Sequence, residues 1–413
     1  MYIDYEKIGK ILRFGEQFFY DMKIKQNLDY IKRNQKRVLE DLKDVSPLNV
    51  IFHVYDESKW KSQSVYDLME KDERFNPMIV ATKNCAPEGN PNYQTAENVK
   101  KCYEYFKNKG MRVEYGYDIR KNKFIPFEAF NSDIIFYSHP WYVYETQGPV
   151  VCSKFALTYY IPYFLPASEQ WHEYGLRFHQ YIYRHYVPTE SVKNYYSKNM
   201  PSVEHSFRVV GHPILDSYNN QKDFEKKYII YAPHWTVCGE NLRFGTFKWS
   251  GKKVLELAKA HPELNWVFRP HPLLYNFVIT SGFMKEEEID KYYDEWKNFA
   301  QYSEGGDYID LFRQSYAMIT DCGSFLTEYF VTENPVIHLV SEYLNPNSTI
   351  KEIDKTYYTV HNTDELIKDF HQVILDKYDY KKEERKKLLE KLGFKNSSSA
   401  EKIIKDILSD IDY

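Results

Sequence analysis

Two stretches concentrate the polar groups of this chain that suit chemistry: Trp266-Val-Phe-Arg-Pro-His-Pro272 and Ile319-Thr-Asp-Cys-Gly-Ser-Phe-Leu-Thr-Glu-Tyr329. Each reads as an apolar strand running into a polar loop, and the second loop then opens a helix. In an open α/β sheet ligands sit beyond the carboxyl ends of the strands, where backbone N–H groups at a helix start face negative charge. Arg269 adds permanent positive charge, and His271, clamped between prolines, adds a fixed hydrogen-bonding ring. Together the two stretches suggest a site for a nucleotide diphosphate.

Within the second stretch, Asp321 sits at the strand end and is expected among the donor-binding residues. Gly323 lets a ligand approach the backbone, and Ser324 is placed to cap the helix. The N–H groups of Ser324 and Phe325 are expected to face an anion. Glu328, four residues on, repels phosphate and suits ribose hydroxyls instead. The plain alternative is a capping box of Ser324 with Thr327 or Glu328 and no ligand. A third strand-to-loop junction, Tyr231-Ala-Pro-His-Trp-Thr236, offers His234 and Thr236 to the same cleft. A fourth, Phe136-Tyr-Ser-His-Pro-Trp141, offers His139 from the other half of the chain. A histidine there suits the role of general base toward a hydroxyl near neutral pH. Gly211 and His212, after a strand, are expected either to touch ligand or to turn the chain. No HExxH motif is present, and His205 and His212 are too far apart for one helical turn, so no metal is expected; a P-loop and a Ser nucleophile elbow are absent as well.

These loops need strands to carry them. The chain of 413 residues is too long for one typical domain. Strands are expected at 47–55, 77–82, 112–115, 134–138 and 206–210, with helices near 61–71 and 95–109, and further elements at 152–161 and 187–195. A second run places strands at 228–233, 265–269, 316–320 and 335–339, with helices at 252–260, 283–301 and 324–332. Strands alternating with helices imply parallel sheets covered on both faces. The expected organisation is a helical extension (1–46), two Rossmann-like units (47–220 and 221–380, with a linker near 221–227) and terminal helices (381–413). Residues 4–44 carry a helical apolar stripe among basic residues. It suits packing on the protein or on a second copy of the chain, and also contact with an anionic membrane surface.

Bulk properties narrow the classes. A net charge of −4 disfavours a dedicated nucleic-acid binder. Five scattered cysteines without a CxxC pair suggest reduced thiols. The start lacks a signal-peptide pattern, and no stretch is apolar enough to span a membrane. The expected location is cytoplasmic, or peripheral at the inner membrane face.

From Gly211-His-Pro-Ile-Leu-Asp216 through Ile230-Tyr-Ala-Pro-His-Trp235, Phe268-Arg-Pro-His-Pro272, Tyr308-Ile-Asp-Leu-Phe312, Thr320-Asp-Cys-Gly-Ser-Phe325, Glu328 and Asn334-Pro-Val-Ile337, the chain resembles the CDP-glycerol glycerophosphotransferase family of teichoic-acid and capsule polymerases. The resemblance implies a GT-B fold of two Rossmann-like domains facing across a cleft. It implies that His271 and the Gly323–Ser324 turn hold a donor diphosphate, with a catalytic histidine from the first domain. Where that family often shows Trp-His-Gly-Thr-Pro, this chain has Ser138-His-Pro-Trp; where it commonly has Ser-Ser, this chain has Gly323-Ser324. The expected reaction moves a polyol phosphate from CDP-glycerol or CDP-ribitol, used as substrate with no cofactor, to a hydroxyl of a glycan, lipid-linked or polymer acceptor. CMP leaves, and His139 takes the hydroxyl proton. The rival readings are a GT-B glycosyltransferase using a UDP- or CMP-linked sugar, and a non-catalytic scaffold.

Overall fold

The computed structural model describes residues 29–90, 92–169, 176–219, 224–237, 243–304, 308–395 and 398–411. The strands in chain order are β1 Leu48–Val54, β2 Phe75–Ala81, β3 Val113–Tyr115, β4 Tyr117–Asp118, β5 Lys123–Phe124, β6 Ile134–Tyr137, β7 Leu157–Tyr160, β8 Arg184–Val187, β9 Phe207–Val209, β10 Tyr228–Ala232, β11 Asn265–Phe268, β12 Gln301–Tyr302, β13 Ser315–Thr320, β14 Val336–Leu339 and β15 Tyr358–Val360. They form a seven-stranded sheet ordered β3-β2-β1-β6-β7-β8-β9 and a six-stranded sheet ordered β12-β11-β10-β13-β14-β15. Each pairing in the two large sheets is parallel. The short β4–β5 hairpin stands apart and is antiparallel.

The apolar runs make these sheets because both faces are covered. On β10, Ile229 and Tyr231 enter one core with Trp266, Phe268 and Ile319, while Ile230 and Ala232 enter another with Val267 and Met318. The same alternation divides Val50, Phe52 and Val54 of β1 from Ile51. In each sheet the strand order reverses beside the first strand, between β1 and β6 and between β10 and β13. Crevices open beyond the carboxyl ends of strands at such switch points. The β6, β10, β11 and β13 ends all bear residues singled out above.

Residues 29–42 are helical and bury Ile31, Val38 and Leu42, with Val38 and Leu42 in the first sheet's core. For this part of the extension the apolar stripe faces the protein. Residues 1–28, and with them most of the stretch expected to touch a membrane surface or a second copy, lie outside the described residues. Among the described residues no helix is long and apolar enough to cross a membrane. At the other end, helix Ser399–Asp410 returns to the first domain, where Ala400, Ile403 and Ile407 join the core around Val50 and Phe52. Asp216 fixes its start, accepting from the Ser399 and Ala400 N–H groups at 3.0 and 2.8 Å and from the Ser64 hydroxyl at 3.1 Å. Arg184 on β8 pairs with Asp410 at 2.6 Å.

Several elements depart from the sequence expectation. Strand β8 reads Arg-His-Tyr-Val and is fully buried, because its charge is matched by Asp410 from the far end of the chain. The helix expected over 283–301 is present as Glu286–Lys297, and a further helix, Leu274–Thr280, precedes it where none was expected. Strand β15 lacks a run long enough to stand out.

Candidate active site

Two adjoining chambers, of about 560 and about 380 Å³, lie between the sheets at the switch points. The larger is bounded by His234, Trp235 and Gly323 of the second domain and by Asn84, Trp141 and Phe164 of the first. The smaller is bounded by Arg269, Tyr308, Phe325 and Glu328 of the second domain and by Lys61 and Gln94 of the first. Tyr55, Lys59, His271 and Ser324 line both and mark their junction.

His271 follows β11. Its Nδ1 accepts from the Leu273 N–H at 3.1 Å, so the ring's own proton in the neutral form sits on Nε2. Burial, aided by the Lys59 ammonium, pushes its pKa down to about 4. His234 follows β10 and repeats the arrangement: Nδ1 accepts from the Thr236 N–H at 3.2 Å and lies 2.8 Å from the Thr236 hydroxyl. Burial, with His271 adding to it, holds this ring well below the usual histidine range. The ring centroids are 5.6 Å apart. At neutral pH the second domain therefore presents two uncharged imidazoles with Nε2–H donors. They can bond a phosphate oxygen without taking up a proton.

Arg269 brings the permanent charge. It donates to the Ser303 hydroxyl at 2.6 Å and stacks over the Tyr308 ring at 4.9 Å. Glu328 is 1 % exposed and accepts from the Tyr308 hydroxyl. Burial pushes its carboxyl up, against the opposite pull of Lys61, Tyr308 and Arg269.

Arg269, His271, His234, Ser324, Phe325 and Glu328 thus share one cleft wall, as their strand-end positions imply. Other expectations need correction. Asp321 is fully buried and accepts from the His234 N–H at 2.6 Å, the Thr246 N–H at 2.7 Å and the Thr246 hydroxyl at 2.8 Å. It ties two loops together and lines neither chamber. Thr236 is also fully buried, its hydroxyl accepting from the Gly245 N–H at 2.8 Å, so it orients His234 rather than touching ligand. Gly323 answers a packing need: a Cβ there would lie 2.5 Å from the Phe244 ring and 3.0 Å from Ala167 of the first domain. Ser324 does not cap the helix Gly323–Glu328; Cys322 is the N-cap, without a side-chain bond. The Phe325 N–H donates to the Cys322 carbonyl at 3.0 Å and is closed to an anion.

His139 is the largest correction. Its ring is 1 % exposed, lies 3.8 Å from the Tyr55 ring and 5.2 Å from the His53 ring, and lines neither chamber. The loop after β6 turns the side chain back into the first domain. His212 likewise stands away from the chambers: its Nε2 donates to the Pro162 carbonyl at 2.7 Å and its Nδ1 accepts from the Ile214 N–H. Neighbouring Gly211 has φ +87°, which makes the pair a turn of the chain. Among the described residues no group of three or more His, Cys, Asp or Glu side chains is placed to hold a metal ion. The sequence reading assigned no role to Tyr55, Lys59, Lys61 or Tyr308; nearness to the end of β1 was the one pointer to the first three, and Tyr308 stood within a family-like stretch without a role of its own.

No family model matches the chain, and no curated protein matches it. Solved structures do. UDP-GlcNAc 2-epimerase from Neisseria meningitidis bound to UDP-GlcNAc superposes with a TM-score of 0.56 at 16 % identity, over 88 % of this chain and 99 % of that one. The epimerase from Methanocaldococcus jannaschii, in complex with UDP-GlcNAc and UDP, gives 0.55 at 14 % identity over 88 % and 99 %. The wall teichoic acid polymerase TagF gives 0.53 at 16 % identity over 96 % and 98 %. The chain shares their architecture, two Rossmann-like domains in the GT-B arrangement.

Proposed function

We propose that this protein is a transferase acting on a nucleotide diphosphate-linked donor, and that it moves a polyol phosphate from a CDP-polyol to an acceptor hydroxyl. The carrying observation is the pair of adjoining chambers, where His271 and Ser324 at the junction, His234 in the larger chamber and Arg269 in the smaller supply one guanidinium and several uncharged donors within a single cleft. Such a set suits a diphosphate: the charge is met by Arg269, and fixed Nε2–H groups bond the oxygens on which charge grows. Glu328 and Tyr308 in the smaller chamber suit ribose hydroxyls. The preference for a cytidine polyol over a sugar donor rests on the motif order from Gly211 to Ile337 and on the TagF-like architecture.

In this reading the acceptor oxygen attacks the β-phosphorus, the bond from that phosphorus to the CMP oxygen breaks, and CMP leaves with the bonding pair. The acceptor proton passes to a base that faces the cleft, a position His139 does not hold. A glycosyltransferase reading uses the same cleft with attack at an anomeric carbon, and the UDP-GlcNAc carried by the epimerases of like fold favours keeping it as the rival.

A thermal-shift panel of CDP, CDP-glycerol, CDP-ribitol, UDP and UDP-sugars separates the two, because a ligand of the native state raises the melting point by mass action. A shift with cytidine nucleotides alone is expected. A shift with uridine nucleotides alone overturns the polyol reading in favour of the sugar donor.

A further inference from the structure

Lys59 closes a three-residue 3-10 turn, Glu57–Lys59, just after β1, and the turn is fixed by Asp56 accepting from the Ser58 N–H at 3.0 Å. Its ammonium donates to the Tyr55 hydroxyl at 2.6 Å and lies over the Tyr55 and Tyr163 rings at 4.5 and 5.3 Å. The Asp56 carboxylate is 3.7 Å away, beyond hydrogen-bond length, and already accepts from the Ser58 hydroxyl at 2.7 Å. An ammonium carries three donors, and Tyr55 takes one of them. The side chain is 21 % exposed, and what it is exposed to is the cleft.

Its position along the cleft is specific. Lys59 lines both chambers, as His271 and Ser324 do from the facing domain. A donor with its nucleoside in the Glu328 chamber and its transferred group in the Trp141 chamber has its diphosphate at this junction. Its charge is felt across the gap, since it helps lower the pKa of His271. Burial pulls the ammonium itself below the usual lysine range, against the opposite pull of Asp56; an anion at the junction relieves that burial cost.

We propose that Lys59 is the first domain's ligand for the donor diphosphate, so that the phosphates are gripped from both domains at once. This rests on the diphosphate-donor reading but not on the identity of the base. The gripping bond is a charge-assisted hydrogen bond from Nζ to a phosphate oxygen, made with the donors that Tyr55 leaves unused.

The test is calorimetric titration of the full chain with inorganic pyrophosphate and with CDP. Lys59→Gln is expected to weaken both by about 10- to 100-fold, the worth of one hydrogen bond to a charged group. A Lys59→Gln chain that binds both as the wild type does overturns the assignment and leaves the cytidine reading standing. A wild-type chain that takes pyrophosphate but gains nothing from the added cytidine overturns the cytidine reading and leaves Lys59 in place. Binding of neither overturns both. Asp56→Asn gives an independent readout should Lys59→Gln not fold. It keeps the turn's cap and removes the competing carboxylate, so pyrophosphate binding is expected to tighten several-fold; unchanged or weaker binding overturns the proposal.

Discussion

Lys61 Nζ of the first domain donates to the Tyr308 hydroxyl of the second at 2.7 Å, and that hydroxyl in turn donates to Glu328. The bond spans the cleft at the smaller chamber, and it gives the buried Glu328 carboxylate a donor. Tyr308→Phe keeps the ring under Arg269 and deletes both bonds. A loss of roughly 1–3 kcal/mol is expected, since a buried acceptor is stripped of its partner. Urea unfolding checks this; an unchanged midpoint would show that the Lys61–Tyr308–Glu328 chain contributes nothing.

Two glycines are expected to respond unequally to alanine. At Gly323 the new Cβ meets the Phe244 ring at 2.5 Å, a side chain with some room to turn, and a cost of about 1–3 kcal/mol is expected. At Gly245 it would lie 1.7 Å from the Thr236 carbonyl oxygen, which is backbone and cannot turn away. Gly245→Ala should therefore exceed that range and loosen the loop that holds His234. Thermal melts of both variants decide it, and the opposite order would refute the packing argument.

His139 has neither ring nitrogen partnered and lies inside the first domain behind Tyr55. Replacing a buried, unpaired polar ring by an apolar group of similar bulk is close to neutral or stabilising. His139→Leu should melt at or above the wild-type temperature and keep wild-type CDP affinity and turnover. If turnover collapses while CDP still binds, His139 returns to the mechanism as a base.

His271→Ala, by contrast, removes an Nε2–H donor from the junction. Turnover is expected to fall by about 10²-fold, the usual effect of deleting one preorganised donor, with the folding transition retained. Wild-type turnover in the folded variant would remove His271 from the reaction.

The pH dependence has a definite sign. Burial pushes the pKa of His212 down to about 4, although its bond to the Pro162 carbonyl pulls the other way. Between that value and the ordinary 6.5 the unfolded chain binds a proton that the folded chain refuses. The stabilisation is complete above 6.5 and is lost as pH falls toward 4. His212→Asn can keep the bond from the Ile214 N–H. It should flatten the fall in unfolding free energy over this window, by up to one proton's worth of slope. Denaturation at pH 7 and pH 4.5 measures the difference, and parallel wild-type and variant curves would contradict it.

The sequence shows what neighbours along the chain enforce. β1, β10, β11 and β13 are apolar runs that end in polar loops, so both the strands and the cleft-facing Arg269, His234, His271 and Ser324 were legible. β8 was not, because Arg184 is neutralised by Asp410, whose approach only the fold reveals. A strand end tells which rim of the sheet a residue occupies but not which way its loop turns. His271 and His139 share the same strand-then-His-Pro form, yet one lines the cleft and the other is folded under Tyr55. Tyr55 was hidden by number, being one of 39 tyrosines, and Tyr308, though within a family-like stretch, had no role until Glu328 and Lys61 were seen against it. Lys59 was one charge in a polar turn until Tyr55 and the facing domain gave it a setting.

Asp216 grips the start of the last helix, and that grip changes how the chain is divided. The first domain is built from two separated segments, one ending near residue 219 and one beginning near 398, and the second domain is in effect inserted between them. A cut after the second sheet strips Ile403, Ile407 and the Asp410 partner of Arg184 from the first domain. The intervening segment carries its own sheet, yet one of its two cores takes in Leu165, Ala167, Ile214 and Leu215 of the first domain, so a cut on either side of it exposes apolar surface.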